Sequence, residues 1–66
     1  MRVTVNGEPQ SLADGLTIAD LISQLGLTQQ RIAVEVNREI IVREAYATHT
    51  LREGDQVEIV NFVGGG

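Results

Sequence analysis

The chain has 66 residues, five Lys/Arg against nine Asp/Glu for a formal net charge of −4, and 42% hydrophobic residues, too apolar for a disordered acidic tail and enough for one small core. Cysteine is absent and His49 is the only histidine, which excludes a disulfide framework, a thiolate metal cage, a cysteine nucleophile and a multi-histidine metal site. No apolar run approaches the roughly 20 residues of a membrane span, and an acidic chain whose only aromatics are Tyr46 and Phe62 lacks the basic surface and stacking platform of a nucleic-acid binder.

Met1-Arg2-Val3-Thr4-Val5 reads as a strand that begins at once, with Val3 and Val5 on one side. No targeting extension precedes it, so a cytoplasmic location is expected. Asn6-Gly7 is a strong hairpin signal, because both residues tolerate the positive φ of a type I′ turn. Glu8 to Leu12 then returns antiparallel, and Pro9, with no N–H to donate, marks it as an edge strand.

Ala13-Asp14-Gly15-Leu16 breaks the pattern. Thr17 follows as a helix N-cap, with Asp20 completing an approximate capping box. Ile18, Leu21, Ile22 and Leu25 recur at helical spacing, and Gly26 stands where a left-handed residue ends a helix, so a helix is predicted from Ile18 to Leu25. Its start could hold an anion, but ordinary capping accounts for these residues.

Leu27 to Arg31 is a polar connection. Ile32, Val34 and Val36 alternate with Ala33 and Glu35 as a strand, Asn37-Arg38-Glu39 is a tight turn, and Ile40-Ile41-Val42 is a short second run. Arg43 to Thr50 shows no clear period, and Leu51 is a lone apolar anchor before the turn at Arg52-Glu53-Gly54-Asp55. Gln56 to Val63 is the last strand, with Val57 and Ile59 inward. The chain then ends in Gly64-Gly65-Gly66, three of its seven glycines.

This order predicts an α+β fold: a mixed sheet of four to five strands with one helix packed across one face, the β-grasp arrangement. The first strand is expected at its centre, since the last strand must pair beside it. The helix stripe would pack on Val3, Val5, Val34, Val36, Val57 and Ile59. Residues 1–63 form the expected domain and 64–66 a C-terminal glycine tail.

Candidate chemistry is sparse. Without Cβ atoms, Gly64-Gly65-Gly66 can take nearly any backbone dihedral and enter a channel too narrow for side chains. Extended, three residues would carry the terminal carboxylate about 10 Å beyond the last strand. Alternation turns Glu58, Val60 and Phe62 outward, so Val60 and Phe62 form a candidate partner-docking patch beside the tail. His49 has no second histidine or activatable serine beside it and reads as a surface or loop-packing residue. Glu35, Glu39, Glu44, Glu53, Asp55 and Glu58 read as a solvated acidic face that can steer the chain toward a basic partner.

The fold order and the glycine terminus together resemble the ubiquitin-like sulfur carriers of the ThiS family. The resemblance covers essentially the whole chain: the amino-terminal hairpin, Leu16-Thr17-Ile18-Ala19-Asp20-Leu21-Ile22, Ala33 through Arg43, Leu51 through Ile59, and the terminal Gly65-Gly66. The chain departs from the family at Val42, where proline is common, and its compact length fits this family better than the longer MoaD-type carriers of molybdopterin synthesis. The resemblance implies a protein co-substrate that is not itself an enzyme. An E1-like adenylyltransferase of the ThiF type would use ATP to adenylate the Gly66 carboxylate, and a sulfur donor protein would convert it to a thiocarboxylate. A thiazole synthase of the ThiG type would take the sulfur for the thiazole of thiamine. No cofactor or metal is held by the carrier, and the sulfur would ride on the terminus of a chain that has no thiol. Two readings stand beside this one: a carrier serving molybdopterin, tRNA thiolation or cysteine synthesis, and a β-grasp binding module with an incidental glycine tail.

Overall fold

The computed structural model describes residues 1–62. Five strands, β1 (Arg2–Val5), β2 (Glu8–Ser11), β3 (Ile32–Val36), β4 (Glu39–Ile41) and β5 (Gln56–Asn61), form one mixed sheet in the order β2-β1-β5-β3-β4. One helix, α1 (Ile18–Gln24), lies on a single face of it, and short 3₁₀ turns occupy Gln29–Arg31 and Arg43–Ala45. This is the β-grasp arrangement.

Local chemistry explains both hairpins. Asn6 and Gly7 have φ of 51° and 82°, and Asn37 and Arg38 have 52° and 70°, so each pair of strands is joined by a two-residue turn with both residues left-handed. Pro9 sits in the edge strand β2, opposite Thr4. Thr4 donates its own N–H the other way, to the Asp55 carbonyl at 3.0 Å, so this position of the β1–β2 ladder requires no donor from Pro9. β1 is interior, flanked by β2 and β5, but the middle strand is β5. The β3–β4 hairpin adds two strands on the far side of β5 and moves the centre of the sheet one strand over.

The helix is capped at both ends. The Thr17 hydroxyl accepts from the Asp20 N–H at 3.2 Å, and the Asp20 carboxylate accepts from the Thr17 N–H at 3.1 Å. Ile18 and Ala19 donate their N–H groups to the carbonyls of His49 and Tyr46, at 3.0 and 2.9 Å. The segment without clear period is therefore the long-range cap of α1, and it is tied on further by Leu51 N–H to Leu16 carbonyl at 2.9 Å. At the other end Gly26 has φ 71° and donates to Ser23, while Leu27 donates to Ile22, which makes a Schellman motif.

The core departs from the predicted set in two respects. Leu25 is not part of it: the helix ends at Gln24, Leu25 is the C-cap, and its side chain is exposed. Leu16, Ile32, Tyr46 and Leu51 are buried beside the predicted Val3, Val5, Ile18, Leu21, Ile22, Val34, Val36, Val57 and Ile59. The irregular segment supplies Tyr46 and Leu51 to the core. Strand β5 ends at Asn61 rather than Val63, and Val63 lies outside the described residues. Among the described residues no helix is long and apolar enough to cross a membrane.

Candidate functional site

The last described residues stay on the sheet beside β3. Phe62 donates its N–H to the Arg31 carbonyl at 2.6 Å, one step past the end of β5, and this holds the chain on the sheet up to that residue. Gly64, Gly65 and Gly66, the candidate site of activation, lie outside the described residues. In the sequence they follow Val60, Asn61 and Phe62 at the end of β5.

That end carries an apolar surface. Val57 and Ile59 face α1 and are buried, so alternation turns Glu58, Val60 and Phe62 to the sheet face without a helix. Val60 is 56% and Phe62 50% exposed, as the sequence led one to expect. The patch is wider than those two residues. Ala33 lies directly opposite Val60, and Ile40 lies opposite Glu35, on the same face. Ile40 is 77% exposed and Val42, two residues on, is 61% exposed. The open face therefore bears Ile40, Val42, Ala33, Val60 and Phe62 running toward the carboxyl end. The β3–β4 register places Ile40 on the open face, and Val42 follows it by alternation just past the end of β4.

The other candidates have structural duties. The Asp55 carboxylate accepts from the Asn37 side-chain amide at 3.0 Å and from the Arg52 N–H at 2.9 Å. Glu53 accepts from the Arg2 N–H at 2.9 Å. Both acids build the turn before β5. His49 is half-buried and uses its carbonyl to cap the helix. Its side chain lines an open polar groove of about 440 Å³ with Glu39, Thr48, Arg52 and Asp55, at the end of β5 away from Phe62. The helix start has its N–H groups at Ile18, Ala19 and Asp20 bonded within the chain, which leaves no free cradle there for an anion.

The sequence profile described as the ThiS family matches residues 3–66. This chain belongs to the ThiS family. A crystal structure of the thiamine biosynthesis protein ThiS from Geobacter metallireducens superposes with a TM-score of 0.84 at 40% identity, covering 100% of both chains. The sulfur carrier protein ThiS of Escherichia coli (strain K12) is 32% identical over 66 residues, again 100% of both. A thiazole synthase of Magnetococcus marinus is 39% identical over 66 residues, which are 100% of this chain and 20% of that protein. A thiazole synthase of Paramagnetospirillum magneticum matches at 38% over the same share. The chain thus spans about one fifth of the length of these two relatives. ThiS-family membership and the solved structure agree with the ubiquitin-like β-grasp fold built above from capping, turns and register.

Proposed function

We propose that this ThiS-family chain is a sulfur carrier of thiamine biosynthesis, a protein co-substrate that presents the carboxylate of Gly66 to partner enzymes. The observation that carries the reading is the placement of the exposed apolar surface. Val60 and Phe62 are exposed at the end of β5, a few residues before Gly64-Gly65-Gly66 in the sequence, which supports docking of the activating partner on that surface.

An ionised carboxylate is a poor electrophile and must be activated. In the proposed cycle an E1-like adenylyltransferase binds ATP, and a Gly66 carboxylate oxygen attacks the α-phosphorus. Pyrophosphate leaves and an acyl-adenylate forms. A sulfur donor protein then supplies sulfur at the sulfide level, which adds to the acyl carbon and displaces AMP. The product is a thiocarboxylate in which one oxygen has been exchanged for sulfur. ATP is the activating enzyme's substrate and not a group resident on the carrier. Glycines at 64–66 suit this traffic, because a chain without side chains can pass a narrow channel and reach a buried nucleotide.

The receiving partner in this reading is a thiazole synthase. Support comes from the thiazole synthases of Magnetococcus marinus and Paramagnetospirillum magneticum, in which a stretch similar to the whole of this chain belongs to the same polypeptide. Covalent linkage in those proteins gives a carrier domain a high effective concentration at its synthase. The test is an intact mass measured after incubation with the activating enzyme, ATP and a sulfur donor. The chain is expected to gain one oxygen-to-sulfur exchange, and a chain lacking Gly66 is expected to gain none. No gain with an enzyme competent on another carrier, or equal gain by the truncated chain, refutes the reading.

A further inference from the structure

We propose that Asn6-Gly7 is a site of spontaneous deamidation that the closed sheet holds in check, and that its product releases the end of β5 from β1. The reaction needs only water and is independent of the sulfur-carrier reading.

The chemistry is intrinsic to the dipeptide. The Gly7 backbone nitrogen adds to Cγ of the Asn6 side chain, its proton passes through solvent to the amide nitrogen, ammonia leaves, and a succinimide ring closes. Water then opens the ring at either carbonyl. One product is aspartate at position 6; the other is isoaspartate, in which the main chain runs through the side-chain carbon. The net change is NH2 replaced by OH, with nothing oxidised or reduced. Glycine hinders the attacking nitrogen least, because it has no Cβ. The other asparagines, Asn37 and Asn61, precede Arg38 and Phe62, whose side chains crowd the same approach. Asn6 and Gly7 are exposed, and nothing lies within 4 Å of a Cβ placed on Gly7, so water reaches the turn.

The fold opposes the reaction at the amide itself. Oδ1 of Asn6 accepts the Ile59 N–H at 2.8 Å, and Nδ2 donates to the Ile59 carbonyl at 3.3 Å. With both polar atoms fixed on β5, Cγ swings to the Gly7 nitrogen only after both bonds break. The Asn6 N–H, bonded to the Val57 carbonyl at 2.8 Å, holds the same corner closed. The closure is small, since β1 and β5 pair at two positions only, Thr4 with Gln56 and Val5 with Val57. Opening there is a local event that does not require global unfolding. Each opening frees the amide beside a nucleophile already tethered to it.

The product no longer fits. A carboxylate at position 6 still accepts the Ile59 N–H, but its second oxygen has no hydrogen to offer the Ile59 carbonyl and meets it oxygen to oxygen. Isoaspartate lengthens the main chain inside a two-residue turn and disturbs the β1–β2 hairpin. In both cases the Ile59 carbonyl loses its donor, one residue before the exposed Val60.

The test holds the full chain at mildly alkaline pH, in buffer and in guanidinium chloride, follows its intact mass and maps the modified position by peptide mass. In denaturant, position 6 is expected to make the NH2-to-OH exchange about tenfold or more faster than Asn37 or Asn61. In buffer, position 6 is expected to react about tenfold or more slowly than in denaturant. Asn6→Asp supplies one product directly, and it is expected to melt several degrees below the parent and to exchange the Ile59 amide hydrogen faster. Equal rates in the two solvents overturn the protection, and no preference for position 6 in denaturant overturns the site. Parent-like melting and exchange in Asn6→Asp overturn the release of β5. The rate comparison uses the parent chain and stands whether or not the variant folds.

Discussion

The side-chain amide of Asn6 holds both backbone polar groups of Ile59: its oxygen accepts the Ile59 N–H at 2.8 Å, and its nitrogen donates to the Ile59 carbonyl at 3.3 Å. β1 and β5 are paired at only two positions, Thr4 with Gln56 and Val5 with Val57, before β1 turns away at Asn6. The amide thus continues the ladder after the backbone has left it. Asn37 does the matching work on the other side of β5, accepting the Gln56 N–H at 2.9 Å with its side chain and donating its own N–H to the Gln56 carbonyl at 2.8 Å.

Replacing Asn6 by glycine keeps the positive φ and removes only the amide. Two bonds to a part-buried backbone are lost, so Asn6→Gly is expected to destabilise the domain by about 2 kcal/mol. Urea unfolding measures this, and hydrogen exchange at the Ile59 amide should accelerate in step. A glycine variant with the parent midpoint would show that the hairpin turn alone explains Asn6.

Arg38 occupies the left-handed region at φ 70°, in the second turn position, where glycine is preferred. An L side chain there costs on the order of 1 kcal/mol. Arg38→Gly is therefore expected to raise the melting temperature by about 4–8 °C, the shift that 1 kcal/mol gives in a domain of this size. Scanning calorimetry decides it, and an unchanged or lower melting temperature would mean that the arginine side chain stabilises the turn by other contacts.

Tyr46 is 2% exposed at the centre of the segment that caps α1. Among the described residues its hydroxyl makes no side-chain hydrogen bond, so the buried ring is expected to carry its contribution. Tyr46→Ala is expected to cost about 3–5 kcal/mol, enough to unfold much of a domain this small. Tyr46→Phe should keep nearly the parent stability. Paired thermal melts by circular dichroism test both, and a large loss in the phenylalanine variant would assign the hydroxyl a structural bond.

Phe62 is half exposed on the open face, so its truncation removes little core packing. Phe62→Ala is expected to lower stability by less than about 1 kcal/mol and to weaken partner binding about tenfold or more, as for an aromatic anchor in an interface. Thermal melts and calorimetric titration separate the effects. Mainly lost stability would place Phe62 in the core.

Short-range chemistry was legible in the residues themselves. Asn6-Gly7 specified a turn, Thr17 and Asp20 a capping box, Gly26 a helix stop, and Val57 with Ile59 the inward face of the last strand, because each depends on dihedrals and neighbours within a few positions. The same alternation exposed Val60 and Phe62 beside the glycine terminus. What the sequence could not rank was Tyr46 and Leu51 against Leu25 for the space over the sheet, since they lie on a segment without periodicity and are placed by bonds to residues about thirty positions away. Nor could it pair Glu35 with Glu58, extend the docking face to Ile40 and Val42, or assign the amide of Asn6 to Ile59, 53 residues on. Composition and local pattern determined that this is a small acidic β-grasp chain ending in glycines. Strand register decided which charges and apolar side chains share its open face, because register is a relation between distant segments and exists only once the sheet has closed.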